Sequence, residues 1–161
     1  MFDDQGSGLN DLFVIIDGAI SHTYVVDSSG LGDFFDTANE PLLTEEALIK
    51  SKKADVAYLI LLWEEMLLNA QPICYLPFDL SDQYVGALKI VKGRKLHTIT
   101  QVCSPVITSG VQKDYFLQVQ KEIDWQKSAD FKWSISPSAM LTGLRWSLAK
   151  LEQPVIPLRY E

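Results

Sequence analysis

The sequence predicts an α+β fold: one domain over residues 1–161, mainly antiparallel sheet, with a long central helix and a C-terminal helix packed on it. Three observations carry this. Residues 44–69 form one long helical stretch around the unbroken apolar run 56–63. Strand-like segments come in consecutive runs rather than alternating with helices, the pattern of helices set against one face of an antiparallel sheet. A second helix with clear start and stop signals follows those strands. A length of 161 residues and a hydrophobic content of 47% suit a single domain with a substantial core.

Taken in order, residues 1–8 make a loose start. Residues 12–16 and 19–26 read as two strands joined at Asp17-Gly18, a dipeptide suited to the positive φ angles of a tight hairpin turn. Residues 27–41 mix turn formers with Phe34 and Phe35, giving an acidic surface loop pinned by two rings. Thr44 caps the central helix, and Glu45 and Glu46 place negative charge at the positive end of its dipole. Leu59, Leu62 and Met66 form one apolar line and Val56, Ile60, Trp63 and Leu67 a second, so the helix is expected to be covered on more than one side. Lys52 and Lys53 mark a candidate break, and Asn69 to Pro72 a stop. The apolar run is too short for the roughly 20 residues that span a bilayer.

Beyond the helix, residues 73–78 are a strand whose Pro77 suggests an edge or a bulge. Residues 84–91 and 95–103 pair as a hairpin around Lys92-Gly93-Arg94, and residues 111–119 alternate as a further half-buried strand. Trp125 and the run 131–135 sit in a polar stretch. Ser136 is the N-cap of the last helix, Pro137 its first residue, and Met140, Leu141, Leu144, Leu148 and Leu151 its apolar stripe, with Pro154 beyond its end. Residues 154–161 are expected to add an edge strand.

No catalytic or nucleotide motif stands out. His22 and His97 are the only histidines, so a nucleophilic site would pair His97 with Cys74 or Cys103. The plainer reading makes both histidines structural and both cysteines small buried hydrophobes. Asp33 and Asp36, and Asp79 and Asp82, lack calcium-loop spacing, and Gly30-Leu31-Gly32 lacks the third glycine of a phosphate loop. No metal, cofactor or catalytic residue is therefore expected. Trp63 and Trp146 fall on helices and read as core, whereas Trp125 and Trp133 lie near loops and are candidates for exposed anchors.

The informative feature is charge. The net charge is −7, yet residues 1–49 hold ten acids and no lysine or arginine, while residues 50–161 hold fourteen bases against eleven acids. Nucleic acid is disfavoured as a partner, since phosphate contacts need a basic surface and the chain lacks aromatic residues interleaved with a basic cluster. A basic protein partner is favoured, since complementary charge speeds encounter and selects among partners. The candidate partner-binding residues are Asp11, Asp17, Asp27, Asp33, Asp36 and Glu40, with Trp125 and Trp133 as anchors. The N-terminus has neither the basic patch nor the apolar stretch of a signal peptide, which makes the cytoplasm the expected compartment.

In size, layout and the acidic 1–49 segment, with the block from Trp133-Ser134-Ile135-Ser136-Pro137 to Leu151 similar in style, the chain resembles immunity proteins of bacterial toxin systems, including contact-dependent inhibition. The resemblance implies a small acidic cytoplasmic inhibitor that binds and occludes a basic toxin domain, such as a nuclease; it transfers no residue by position. Two other classes stand beside it. A secretion chaperone would need an exposed apolar groove and an initial helix, and a small enzyme would need the His97/Cys pair or two carboxylates in a cleft.

Overall fold

The computed structural model describes residues 12–15, 23–28, 30–37, 44–80, 84–105 and 111–151. In chain order these form β1 (Leu12–Ile15), β2 (Thr23–Val26), α1 (Leu31–Phe35), α2 (Glu45–Leu68), β3 (Ile73–Leu80), β4 (Val85–Val91), β5 (His97–Ser104), α3 (Lys113–Val119), β6 (Gln126–Ile135) and α4 (Pro137–Leu151). The fold is α+β. Among the described residues, β3-β4-β5-β6 make a four-stranded antiparallel sheet and β1-β2 a separate antiparallel pair.

Helix α2 begins where its cap sits: the Thr44 hydroxyl oxygen accepts the Ala47 N–H at 3.2 Å. It runs without interruption through Lys52 and Lys53, so the expected break is absent. Lysine is a good helix former. Both apolar lines are buried: Leu59, Leu62 and Met66, and Val56, Ile60, Trp63 and Leu67. Each such side chain contributes roughly 1.5–3 kcal/mol over an exposed one, so these lines anchor the helix. The third side is open, since Tyr58, Leu61 and Leu68 are exposed. Within the core the Trp63 indole N–H donates to the Pro77 carbonyl at 2.8 Å. At the C-terminal end the Lys92 ammonium donates to the carbonyls of Met66 (2.8 Å) and Asn69 (2.6 Å). Those carbonyls have no partner inside the helix, and a cation there also complements the dipole.

Strand β3 lies at the edge of the sheet, and its register to β4 shifts between Pro77 and Asp79, so Pro77 marks both an edge and a bulge. The β4–β5 hairpin pairs Val91 with Thr98 around the expected turn. Cross-strand partners share a face, which puts Cys74, Leu76, Leu88, Ile90, Ile99 and Trp133 together on one buried face. The opposite face is buried at one end, by Pro77, Val85, Ala87, Val102 and Ser104, and opens toward Ile73, Val91 and Lys132.

Three expectations need correction. Residues 111–119 are not a strand: α3 occupies Lys113–Val119, because Phe116, Val119, Gln120 and Ile123 repeat at helical spacing with Phe116 fully buried. The helix has a use at the sheet edge, where the Gln120 side-chain oxygen accepts the Tyr75 N–H at 3.4 Å, as edge strands need covering. Residues 27–41 are not simply a loop, since they contain α1. The expected β1–β2 hairpin is present, with Leu12 paired to Val26 and Ile15 to Thr23; its expected turn at Asp17-Gly18 lies outside the described residues. Trp146 is not core. Helix α4 opens as expected, with Ala139 N–H donating to the Ser136 hydroxyl at 3.2 Å, and turns Met140 inward, which leaves Trp146 57% exposed on its far side. The expected strand in residues 154–161 and the loose start at 1–8 lie outside the described residues.

Candidate functional site

Around α1 the chain alternates anchors with acids. Ser28, Leu31 and Phe34 are buried, while Asp27, Asp33 and Asp36 between and beside them are exposed. The segment is held at both ends. Where it meets β3, Gly30 packs so closely on the Leu80 carbonyl oxygen that a Cβ would collide with it, which is why glycine stands there. At the other end Asp36 takes the left-handed conformation (φ 58°) and closes α1, its N–H donating to Asp33 O at 3.3 Å and Thr37 N–H to Gly32 O at 2.8 Å. The Thr37 hydroxyl then donates to the buried Asp55 carboxylate on α2 at 2.7 Å. Burial pushes the Asp55 pKa up, and the Thr37 hydrogen bond opposes that shift.

Aromatic rings lock the same segment. Tyr58 meets Phe35 at 5.8 Å, Phe35 meets Phe34 at 5.0 Å, and Phe34 meets Phe116 at 5.9 Å between centroids. The chain continues through Phe116 and Trp125 (6.4 Å) to a parallel stack of Trp125 on Tyr75 at 4.9 Å. Edge-to-face and offset contacts of this kind add stability beyond area burial. The rings tie α1, α2, α3 and β3 together, and the acids of α1 project from that frame.

A further acid belongs to the same surface. Asp79, at the end of β3, accepts the Tyr84 hydroxyl at 2.9 Å, and its pKa is raised by burial and by the charge of Asp27, against that hydrogen bond. The Tyr84 hydroxyl is pushed up to about 12, chiefly by the bond to Asp79. Asp27 and Asp79 are therefore close enough to repel. The sequence placed Asp79 in a loop; the longer β3 carries it to the sheet edge beside Asp27.

Of the expected partner-binding residues, Asp27, Asp33 and Asp36 are thus gathered on one segment. Asp11, Asp17 and Glu40 lie outside the described residues. The two tryptophans are not the exposed anchors that were expected. Trp133 is only 9% exposed on the buried face of the sheet. Trp125 is half-buried, with its N–H donated to Gln120 O at 2.7 Å and its ring against Tyr75. Trp133 lies inside β6, whereas Trp125 lies in the connection from α3 to β6, where Gln120 and the Tyr75 ring hold it.

The His97/Cys pair does not assemble. His97 and Cys103 stand six residues apart on β5, on the order of 20 Å, and Cys74 is two strands and two residues from His97, on the order of 12 Å. Burial pushes the Cys74 thiol up, away from the nucleophilic thiolate. His97 is 8% exposed, its pKa lowered by burial and then by Lys92, against a hydrogen bond to the Gly93 backbone, and its Nδ1 has no partner among the described residues. His22 lies outside the described residues. Among the described residues no cluster of His, Cys, Asp and Glu is suited to hold a metal, and no helix is long and apolar enough to cross a membrane. No protein-family model, curated protein or solved structure matches the chain.

Proposed function

We propose that the chain is an acidic, protein-binding inhibitor of the immunity type, which acts in the cytoplasm by binding a cognate basic toxin domain, such as a nuclease, and occluding it. The observation that supports this is the α1 segment. Its buried residues fix the backbone while Asp27, Asp33 and Asp36 stay exposed, with Asp79 near Asp27. Charges held in place by a rigid frame lose little side-chain freedom on binding and raise the rate of encounter with a basic surface. Occlusion follows from contact alone, with no bond made or broken.

The test is competition between sibling cells. A strain lacking this gene should lose to its parent on a solid surface, where cells touch, and re-expression of the wild-type chain should restore parity. The Asp33→Asn/Asp36→Asn variant should fail to restore it although it is folded and equally abundant. Asparagine is chosen because it tolerates the left-handed backbone at residue 36. Equal fitness of the deletion strain, or full rescue by the variant, would refute the proposal.

A further inference from the structure

One side of α2 is apolar at its centre, charged at its ends and exposed. Lys50, Ala54, Tyr58, Leu61, Glu65 and Leu68 are all exposed and fall within about 80° of one another around the helix axis. Tyr58 is 50%, Leu61 47% and Leu68 62% exposed, unusual for large side chains grouped on a long helix. The neighbouring helices flank this strip. On one side α4 is tied to α2 by Arg145 and Glu64 (2.6 Å), and on the other α1 touches it through Phe35 and Tyr58. Lys50 and Glu65 make no ion pair with any described residue.

We propose that this strip is the interface of a homodimer, in which α2 of a second copy packs antiparallel with the two-fold axis between Ala57 and Tyr58. In that register Lys50 faces the second copy's Glu65, and by symmetry Glu65 faces its Lys50. Leu61 comes to lie over Ala54 and Leu68 over Ala47, while the two Tyr58 rings flank the axis. Both leucines meet alanines and each charge meets its opposite. A two-fold interface requires one patch to complement itself, and this strip does.

The charge pattern selects this occupant over others. A parallel pair would set Lys50 against Lys50 and Glu65 against Glu65. A uniformly basic partner would meet Lys50, and a uniformly acidic one Glu65. Residues 47–68 span about 32 Å of helix, and one such strip from each copy falls at the low end of specific interface areas. A weak dimer, in the micromolar range, is the consequence. The acids of α1 lie beside the strip rather than in it, so dimerisation is independent of the inhibitor proposal.

Sedimentation equilibrium of the full chain over a range of loading concentrations tests the interface. Wild type should fit a monomer–dimer equilibrium. Lys50→Glu and Glu65→Lys should each weaken it about tenfold by opposing like charges at two symmetric places, and the two together should restore wild-type affinity. Leu61→Glu should leave only monomer. Circular dichroism melting checks that every variant is folded, as exposed positions allow. A monomeric wild type, a dimer indifferent to Leu61→Glu, or a double swap as weak as the single ones would each overturn the proposal.

Discussion

Asp55 is the residue at which burial and hydrogen bonding compete most directly. Its carboxylate is almost enclosed between α1 and α2 and accepts one hydroxyl proton. Burial raises its pKa above 3.8, so the folded chain binds that proton more tightly than the unfolded chain does. Its contribution is therefore most favourable at low pH and is lost as pH rises through the native value. Asp55→Asn keeps an oxygen for Thr37 and removes the charge; it should raise the urea midpoint at pH 7, and the gain should shrink toward pH 4. His97 has the opposite slope. Its native pKa lies below 6.5, so the unfolded chain takes up the proton first, and stability is full above about pH 6.5 and falls as pH drops below it. Urea unfolding between pH 8 and pH 5 should show this decline, and His97→Gln should flatten it, since glutamine can still donate to the Gly93 backbone.

At the scale of elements, α2 and α4 were legible because their ends are marked by residues with one strong use. Thr44 and Ser136 both cap as the sequence indicates. The β4–β5 hairpin and the edge position of β3 were legible for similar reasons of turn chemistry and proline geometry. Helix α3 was not, because Val111 to Val119 fits a period of two nearly as well as one of 3.6, and the deciding contact is long-range: Gln120 on the backbone of Tyr75. Lys92 likewise reads as an ordinary turn residue until the sheet brings it under α2. Lys92→Met should cost about 1–2 kcal/mol, measured by chemical denaturation. The same change should raise the His97 pKa in an NMR titration, because it removes a nearby positive charge. An unchanged stability would mean that water replaces the ammonium at the helix end without loss.

Across the whole molecule, the charge asymmetry was the clearest functional signal in the sequence, and three of the acids that carry it lie exposed on the segment around α1. Asp27, Asp33 and Asp36 share one clamped segment, and Asp79 comes near Asp27 from a strand more than forty residues away. That last acid was invisible to sequence reasoning because a carboxylate at a strand end looks like any turn residue until the neighbouring strand and α1 are placed. The tryptophans misled for the converse reason. Local polarity around Trp125 and Trp133 suggested exposure, whereas the cross-strand partner Ile99 and the Tyr75 ring cover them, and an exposed indole is that of Trp146, the residue expected in the core.

The most direct measurement is a paired capture. Wild-type chain and the Asp33→Asn/Asp36→Asn variant are immobilised separately, lysate of the source organism carrying its toxin systems is passed over both, and the columns are eluted with rising salt. The expected result is one basic protein, retained near equimolar ratio by wild type, released by salt, and held much more weakly by the variant. Retention of the same proteins by both columns, or of no basic protein by wild type, would contradict the assignment of the α1 acids as a partner-binding surface.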